Sequence, residues 1–250
     1  MHHRKQWASI VALTLAVGLA HETQAQNEQV SRMRTALAAP DRPAENKARD
    51  AARKPIETVQ FFGIKTGETV VDMIAAGGWF TEVLSAAVGP AGKVYSQNPP
   101  FLVQADAEKA LHARLGNVEA VHVPLNQAGI AGKADAVVTA QNLHDIYNGY
   151  QDQPGGEAPA VGFLQAIYAV LKPGGTLGVI DHVGIAGQDN AALHRMQLQQ
   201  ARDVITKAGF TIEAESSMLA NSADDHTKNV FDPAIRGKTD QFVIRARKPR

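Results

Sequence analysis

The chain has 250 residues, 44% hydrophobic and 20% charged, with 25 basic and 25 acidic side chains and a formal net charge of zero. This composition supports a packed core and excludes global disorder, and the balanced charge gives no electrostatic reason for a nucleic-acid partner or an anionic surface. Cysteine is absent, which excludes disulfides, thiolate nucleophiles and cysteine-ligated metals.

The N-terminus opens with His3, Arg4 and Lys5, continues as an uncharged apolar run over 7–20, and reaches Thr23-Gln24-Ala25, with small residues at the positions a signal peptidase reads. The run is too short to span a bilayer comfortably and has the flanks of a secretory signal. Residues 1–25 are therefore expected to be a signal peptide. The destination is periplasmic or secreted, with no stable membrane insertion after cleavage; an uncleaved anchor is the competing reading. Residues 26–61 read as a polar arm followed by a helix. The part before Pro40 is polar and is expected to pack poorly. Residues 44–62 bring Ala51, Ile56, Val59 and Phe62 near one helical face, and Pro55 is placed to break that helix in two.

From Thr69 onward short apolar strands alternate with helices. Strands are expected over 69–74, 93–96, 118–123, 135–139 and 176–181, and helices over 78–88, 102–115, 159–171 and 190–208. Two more strands, 210–215 and 241–246, have no helix between them and can pair antiparallel. The pattern predicts an α/β domain over residues 62–250, with a mostly parallel sheet buried on both faces. Gln197, Gln199 and Gln200 read as a solvated helix face.

One stretch organises the domain: Val70-Val71-Asp72-Met73-Ile74-Ala75-Ala76-Gly77-Gly78-Trp79-Phe80-Thr81. A buried strand ends in a small-residue turn and opens into a helix, whose unpaired N–H groups suit a polar or anionic ligand; a plain strand-to-helix turn gives the same pattern. In a doubly wound sheet ligands bind beyond the carboxyl ends of the strands, where the strand order reverses. That edge collects Asp72 to Gly78, Gln97, Asn98, Asn126, residues 141–145, and Asp181-His182. Gln97 and Asn98 lie about 20 residues beyond Gly78, the spacing of a ribose contact.

The Asp72 turn coincides with Asp135-Ala136-Val137-Val138 at the start of a strand, with Leu171-Lys172-Pro173-Gly174-Gly175-Thr176 between helix and strand, and with Lys207-Ala208-Gly209-Phe210 closing the last helix. Together these resemble class I S-adenosylmethionine-dependent methyltransferases across roughly 62–249. Residues 228–240 and Asn142-Leu143-His144-Asp145 resemble a narrower group of bacterial exported "predicted methyltransferases". The resemblance implies a three-layer sandwich with a mostly parallel seven-stranded sheet, the Rossmann-like methyltransferase fold, and a C-terminal antiparallel strand. It implies S-adenosylmethionine as cofactor, held by Asp72, Ala75, Ala76, Gly77, Gly78, Gln97, Asn98, Asn126 and Asn142. The sequence departs from the family at three contacts. Ile74 and Ala76 stand at the first two of three alternating glycine positions, Gln97 stands where an acid normally holds the ribose, and the acid that reads adenine is missing near Asn126.

Methyl transfer mainly needs alignment in a dry pocket, with a base nearby. His144, just past the fourth strand, is the candidate base, and Asp145 could orient it. Alternatively, Asn142 and Asp145 cap the following turn and His144 is simply satisfied. Asp224-Asp225-His226, together with His144 and His182, could in principle supply a nitrogen–oxygen metal site, but the spacing is irregular and makes no compact ligand motif, so no metal is expected; His112, His122 and His194 read as structural or exposed. The expected function is S-adenosylmethionine-dependent methylation of a small molecule. The alternative is an exported protein of this fold that binds another small ligand without transferring methyl groups.

Overall fold

A computed structural model describes residues 22–150 and 153–250, so the leader reading falls almost wholly outside the described residues. The sequence pattern resolves into helix α1 over 22–37, α2 (Ala44–Arg53), α3 (Pro55–Phe62), β1 (Thr69–Met73), α4 (Trp79–Val88), β2 (Lys93–Gln97), α5 (Ala105–Arg114), β3 (Val118–Val121), β4 (Ala134–Ala140), α6 (Leu143–Asn148), α7 (Glu157–Val170), β5 (Leu171–His182), α8 (Leu198–Lys207), β6 (Thr211–Ser216) and β7 (Gln241–Arg247). Pro55 does divide the second helical region, with Lys54 between the pieces in a left-handed conformation at φ 44°.

The seven strands lie in the order β3-β2-β1-β4-β5-β7-β6. β7 runs antiparallel to both β5 and β6, and the other pairings are parallel. Order reverses between β1 and β4, which puts a ligand crevice at their carboxyl ends. Adjacent residues face opposite layers, as the period of two requires. Val70, Val94, Val138 and Ile180 pack with Met33, Val59, Phe62 and Leu84 on one side. Val71, Val137, Leu177 and Val179 pack with Leu164 and Ile167 of α7 and Val204 and Ile205 of α8 on the other. Gly178 lets α3 sit close to β5, because a Cβ there would stand 2.8 Å from the Phe62 ring.

Four expectations are corrected. The segment before Pro40 is not a poorly packed arm but helix α1, with Met33 and Leu37 in the core. Its polar side chains do structural work that composition hides. Gln29 donates to Ile64 O (2.9 Å) and Ala87 O (3.0 Å), and Arg32 donates to Ala86 O (3.0 Å) and Ala87 O (2.8 Å), capping the last carbonyls of α4. Ala51 is exposed, and α2 instead buries Asn46. The helix expected over 190–208 begins only at Leu198. Arg195 is fully buried against Asp224, with contacts of 2.9 and 3.0 Å, and Met196 bridges to Val183, so this stretch crosses the sheet edge as a turn. Gln197 and Gln200 are not simply a solvated patch: they cap each other's backbone at the start of α8.

Candidate functional site

The turn after β1 holds three alternating left-handed residues: Ile74 at φ 56°, Ala76 at 48° and Gly78 at 79°. A β-branched residue in that region is strained by about 1–2 kcal/mol, so the surroundings must hold it. They do. Ala75 N–H donates to Gln97 O (2.9 Å), Ala76 N–H to Asn98 Oδ1 (2.8 Å), and Ile74 N–H reaches Gln97 Oε1 (3.4 Å). Gln97 and Asn98 are both buried, and their amides brace this turn. Asn142 Nδ2 adds a bond to Met73 O (3.1 Å) from across the crevice. Beneath the turn, Asp72 accepts from the Thr81 hydroxyl (2.6 Å). Burial pushes the Asp72 carboxyl up to about 6, against the Thr81 hydrogen bonds and the Arg53 charge.

Above the turn is a cavity of about 300 Å³, lined by Asp72, Ile74 to Gly77, Trp79, Gln104, Gln141 and Asn142, with Arg49 and Arg53 from α2. A buried network brings α2 here. Trp79 Nε1 donates to Asn46 O and Asp50 Oδ1, both 3.0 Å away. Arg42 pairs with Asp50 and with Glu82 of α4, which also meets Arg114. Arg53 then lies over the Trp79 ring, 4.8 Å from its centroid, and donates to Gln141 Oε1 at 2.8 Å. Burial, and then the neighbouring Arg49, lower its guanidinium to about 10, still charged at neutral pH. Beyond the Arg53–Gln141 bond a second cavity of about 230 Å³ opens between α2, the 218–221 turn and the start of β7. This pair separates the two spaces.

Next to the crevice, α6 carries His144, almost fully buried beside Asp181. Asp181 accepts from the His144 backbone N–H (2.8 Å) and lies 2.6 Å from its Nδ1. A carboxylate only accepts, so Nδ1 carries the proton. Burial opposes charge on His144, but Asp181 and Asp145 outweigh it and raise the imidazole to about 10. A group that holds its proton at neutral pH does not suit the general-base role. Asp181 is correspondingly held below its usual range by His144, against its own burial. His182 sits 2.8 Å from Thr239 Oγ1 and is driven down to about 3 by burial, against the pull of Asp181; it is neutral.

The structure thus brings Asp72, Ala75, Ala76, Gly77 and Asn142 to one cavity. Gly78 starts α4 beside it, and Gln97 and Asn98 support it from beneath. Asn126 is exposed on a short 3-10 turn and does not line it. Asn142 does not cap α6 through its side chain. Asp145 meets His144 and His194. Asp225 bonds to Thr227, and His226 to Asp240. Sequence reasoning placed Gln141 at this edge but missed Arg49, Arg53, Gln104 and the pairing of His194. Only the arginines left a signal: they stand four apart, on one face of a helix.

No protein-family model and no curated protein matches the sequence. Among solved structures, the chain is similar to a SAM-dependent methyltransferase from Aquifex aeolicus, with a TM-score of 0.60, 21% identity, and 88% of this chain and 98% of that one covered. It is similar to a Burkholderia thailandensis 1,6-didemethyltoxoflavin-N1-methyltransferase bound to its substrate and S-adenosylhomocysteine, with a TM-score of 0.54, 16% identity and coverage of 100% and 92%. The [4+2]-cyclase SpnF is similar at a TM-score of 0.57 and 20% identity, with coverage of 80% and 81%. Strand order, the antiparallel β7 and these likenesses together give the chain the fold of class I S-adenosylmethionine-dependent methyltransferases.

Proposed function

We propose that the protein binds S-adenosylmethionine in the cavity above the β1 turn and transfers its methyl group to a small molecule. The observation that carries this reading is the turn itself. Ile74 and Ala76 adopt left-handed backbone that glycine would adopt freely, so the shape of the turn is kept where its usual residues are not. The lining also fits the cofactor chemically. Arg49 and Arg53 are the cations facing the cavity, and the methionyl carboxylate is the anionic group they would hold. Gln104, Gln141 and Asn142 offer amides for hydroxyl and amine groups. When bound, the cofactor supplies an electrophilic methyl group. The chain's part is to fix its orientation and exclude water, work that contributes through alignment rather than covalent chemistry. The second cavity beyond Arg53 and Gln141 is where an acceptor would reach the methyl.

Calorimetry of the purified chain with S-adenosylmethionine and S-adenosylhomocysteine tests the reading. Saturable binding of both is expected, and no binding of either at millimolar concentration overturns it. Thermal stabilisation by unrelated metabolites, but not by the cofactor, would instead indicate a binding protein on the same fold. We also propose export. Cleavage after Ala25 would remove only exposed positions of α1, since its first buried side chain is Gln29; N-terminal sequencing of the protein from fractionated cells checks it, and an intact N-terminus in the cytoplasmic fraction refutes it.

A further inference from the structure

Beyond the carboxyl ends of β4 and β5, outside the cofactor cavity, lies a second group of polar side chains. His144, Asp145 and His194 place one ligand atom each within 4.8 Å of one another. We propose that these three side chains bind a first-row divalent transition-metal ion, with Asp181 as the positioning residue behind His144. The proposal stands independently of methyl transfer.

His144 Nε2 points into this cluster. It is buried and has no hydrogen-bond partner among the described residues. Asp181 fixes the ring from the other side through Nδ1, so once the Nε2 proton is displaced the Nε2 lone pair faces Asp145 Oδ1, 3.2 Å away. Two acceptors facing each other at that distance need a positive centre between or beside them. The same Oδ1 lies 2.9 Å from His194 Nδ1. Ligands at about 2.0–2.2 Å from a metal stand roughly 2.9–3.5 Å apart for angles between about 90° and tetrahedral, and the two edges, 3.2 and 2.9 Å, fall within that range. A histidine whose second nitrogen donates to a carboxylate is also the usual arrangement behind a metal, since that bond sets the tautomer and raises ligand basicity. Two imidazoles with one carboxylate suit zinc, cobalt, iron or manganese better than calcium or magnesium.

Access and rigidity agree. The Asp145 and His194 side chains are 28% and 27% exposed, whereas His144 is 3% exposed. An ion therefore has a route in and keeps an open face toward solvent. His194 sits at φ 54°, and the residue after it is locked: Arg195 is fully buried against Asp224, and its carbonyl accepts from Asn148 Nδ2 at 2.8 Å. The His194 loop is thus clamped to α6 and to the 224 turn before any ion arrives, which is how a ligand set is preorganised. The competing occupant of the gap is a proton on Nε2, and the experiment separates the two.

The chelator-treated full chain is titrated with Zn²⁺ by calorimetry, and with Co²⁺ while its visible absorption is followed. One equivalent is expected to bind at micromolar concentration or tighter, with Co²⁺ bands of a nitrogen–oxygen site. His194→Gln and Asp145→Asn, at partly exposed positions, are expected to weaken binding at least tenfold and to leave the circular dichroism of the metal-free protein unchanged. Asp181→Asn should weaken it about 10–100-fold through orientation alone, and His122→Gln, at a distant surface site, should change nothing. Absence of saturable binding of either ion up to 1 mM (an order-of-magnitude ceiling for a specific site) overturns the proposal. Zn²⁺ affinity unchanged in both His194→Gln and Asp145→Asn does so as well, and would leave the cluster as a protonated ion pair.

Discussion

Two turns face each other across the switch point, one after β1 and one after β4, and they solve opposite problems. The first, 74–78, is strained in its backbone, yet its polar groups are satisfied close by: Gln97, Asn98 and Asn142 take up its N–H and C=O groups. The second, 141–148, also carries a left-handed residue, Gln141 at φ 63°. Its polar side chains, however, are paired with other elements: Gln141 with Arg53, His144 with Asp181 and Asp145 with His194. The first turn is a shape held by its neighbours. The second is a charge arrangement assembled from four elements. Shape survives replacement of glycines; a charge arrangement does not survive loss of one partner.

The largest expected effect follows from that contrast. Asp181→Ala leaves His144 buried without its main counter-ion and should cost about 3–5 kcal/mol in denaturant unfolding; a loss under about 1 kcal/mol would mean that the second turn is held by packing. Asp72, under the first turn, should behave in the opposite way. Its folded pKa is raised from 3.8 to about 6 by burial, so the folded state binds a proton more tightly than the unfolded chain. Stability from this group is therefore greatest below pH 3.8, declines as pH rises through 6, and is lowest above it. Asp72→Asn keeps an acceptor for Thr81 and removes the buried charge. It should stabilise the protein by about 3 kcal/mol at pH 7.5 and by almost nothing near pH 4. An equal gain at both pH values would show that charge is not the cause.

The sequence revealed the two turns unequally for the same reason. Strand and helix periodicity located β1, α4 and β4 to within a residue or two, because buried strands and helix punctuation are local signals; β5 instead begins at Leu171 and runs through the stretch read as a turn. The resemblance carried the single seven-stranded, mostly parallel sheet that periodicity alone does not, while the strand order came from the structure. Asp72 to Gly78 were visible because they are contiguous. The cluster at His144 was half visible. His144 and Asp145 are adjacent, but His194 and Asp181 reach them only through the β5 crossover and a buried Arg195, which no local pattern announces. Helix α1 was misread because its side chains cap other elements, so its polar composition concealed its packing. Arg53 was missed because its role depends on Trp79 and Gln141, far away in the chain.

Arg53 links the two turns, and its removal should separate binding from stability. It lies half-buried over Trp79 and bonds to Gln141. Arg53→Ala should cost less than about 1 kcal/mol of stability, the size of an exposed-to-intermediate cation–π contact. It should weaken S-adenosylmethionine binding about tenfold, equivalent to about 1.4 kcal/mol. Calorimetry and melting of the same variant give both numbers. An equal loss in both would make Arg53 a structural strut rather than a ligand contact.

The smallest effect is the most discriminating, because it tests strain directly. Glycine at position 74 removes the Cβ crowding of left-handed backbone, worth about 1–2 kcal/mol, but adds about 0.5–1 kcal/mol of unfolded-state entropy. Ile74 also packs at the edge of the larger core cluster, so some apolar contact is lost. The sum for Ile74→Gly should therefore lie within about 1 kcal/mol of zero. That is far from the 2–5 kcal/mol expected when a buried aliphatic side chain is truncated at relaxed backbone. Gln141→Gly relieves a similar φ but forfeits the Arg53 bond, so it should lower stability by about 1 kcal/mol. The two glycine variants, measured side by side by chemical denaturation, separate a turn held by its neighbours from one held by its own side chain. If Ile74→Gly proves as damaging as a core truncation, the first turn depends on its isoleucine and the retained-shape argument for cofactor binding loses its footing.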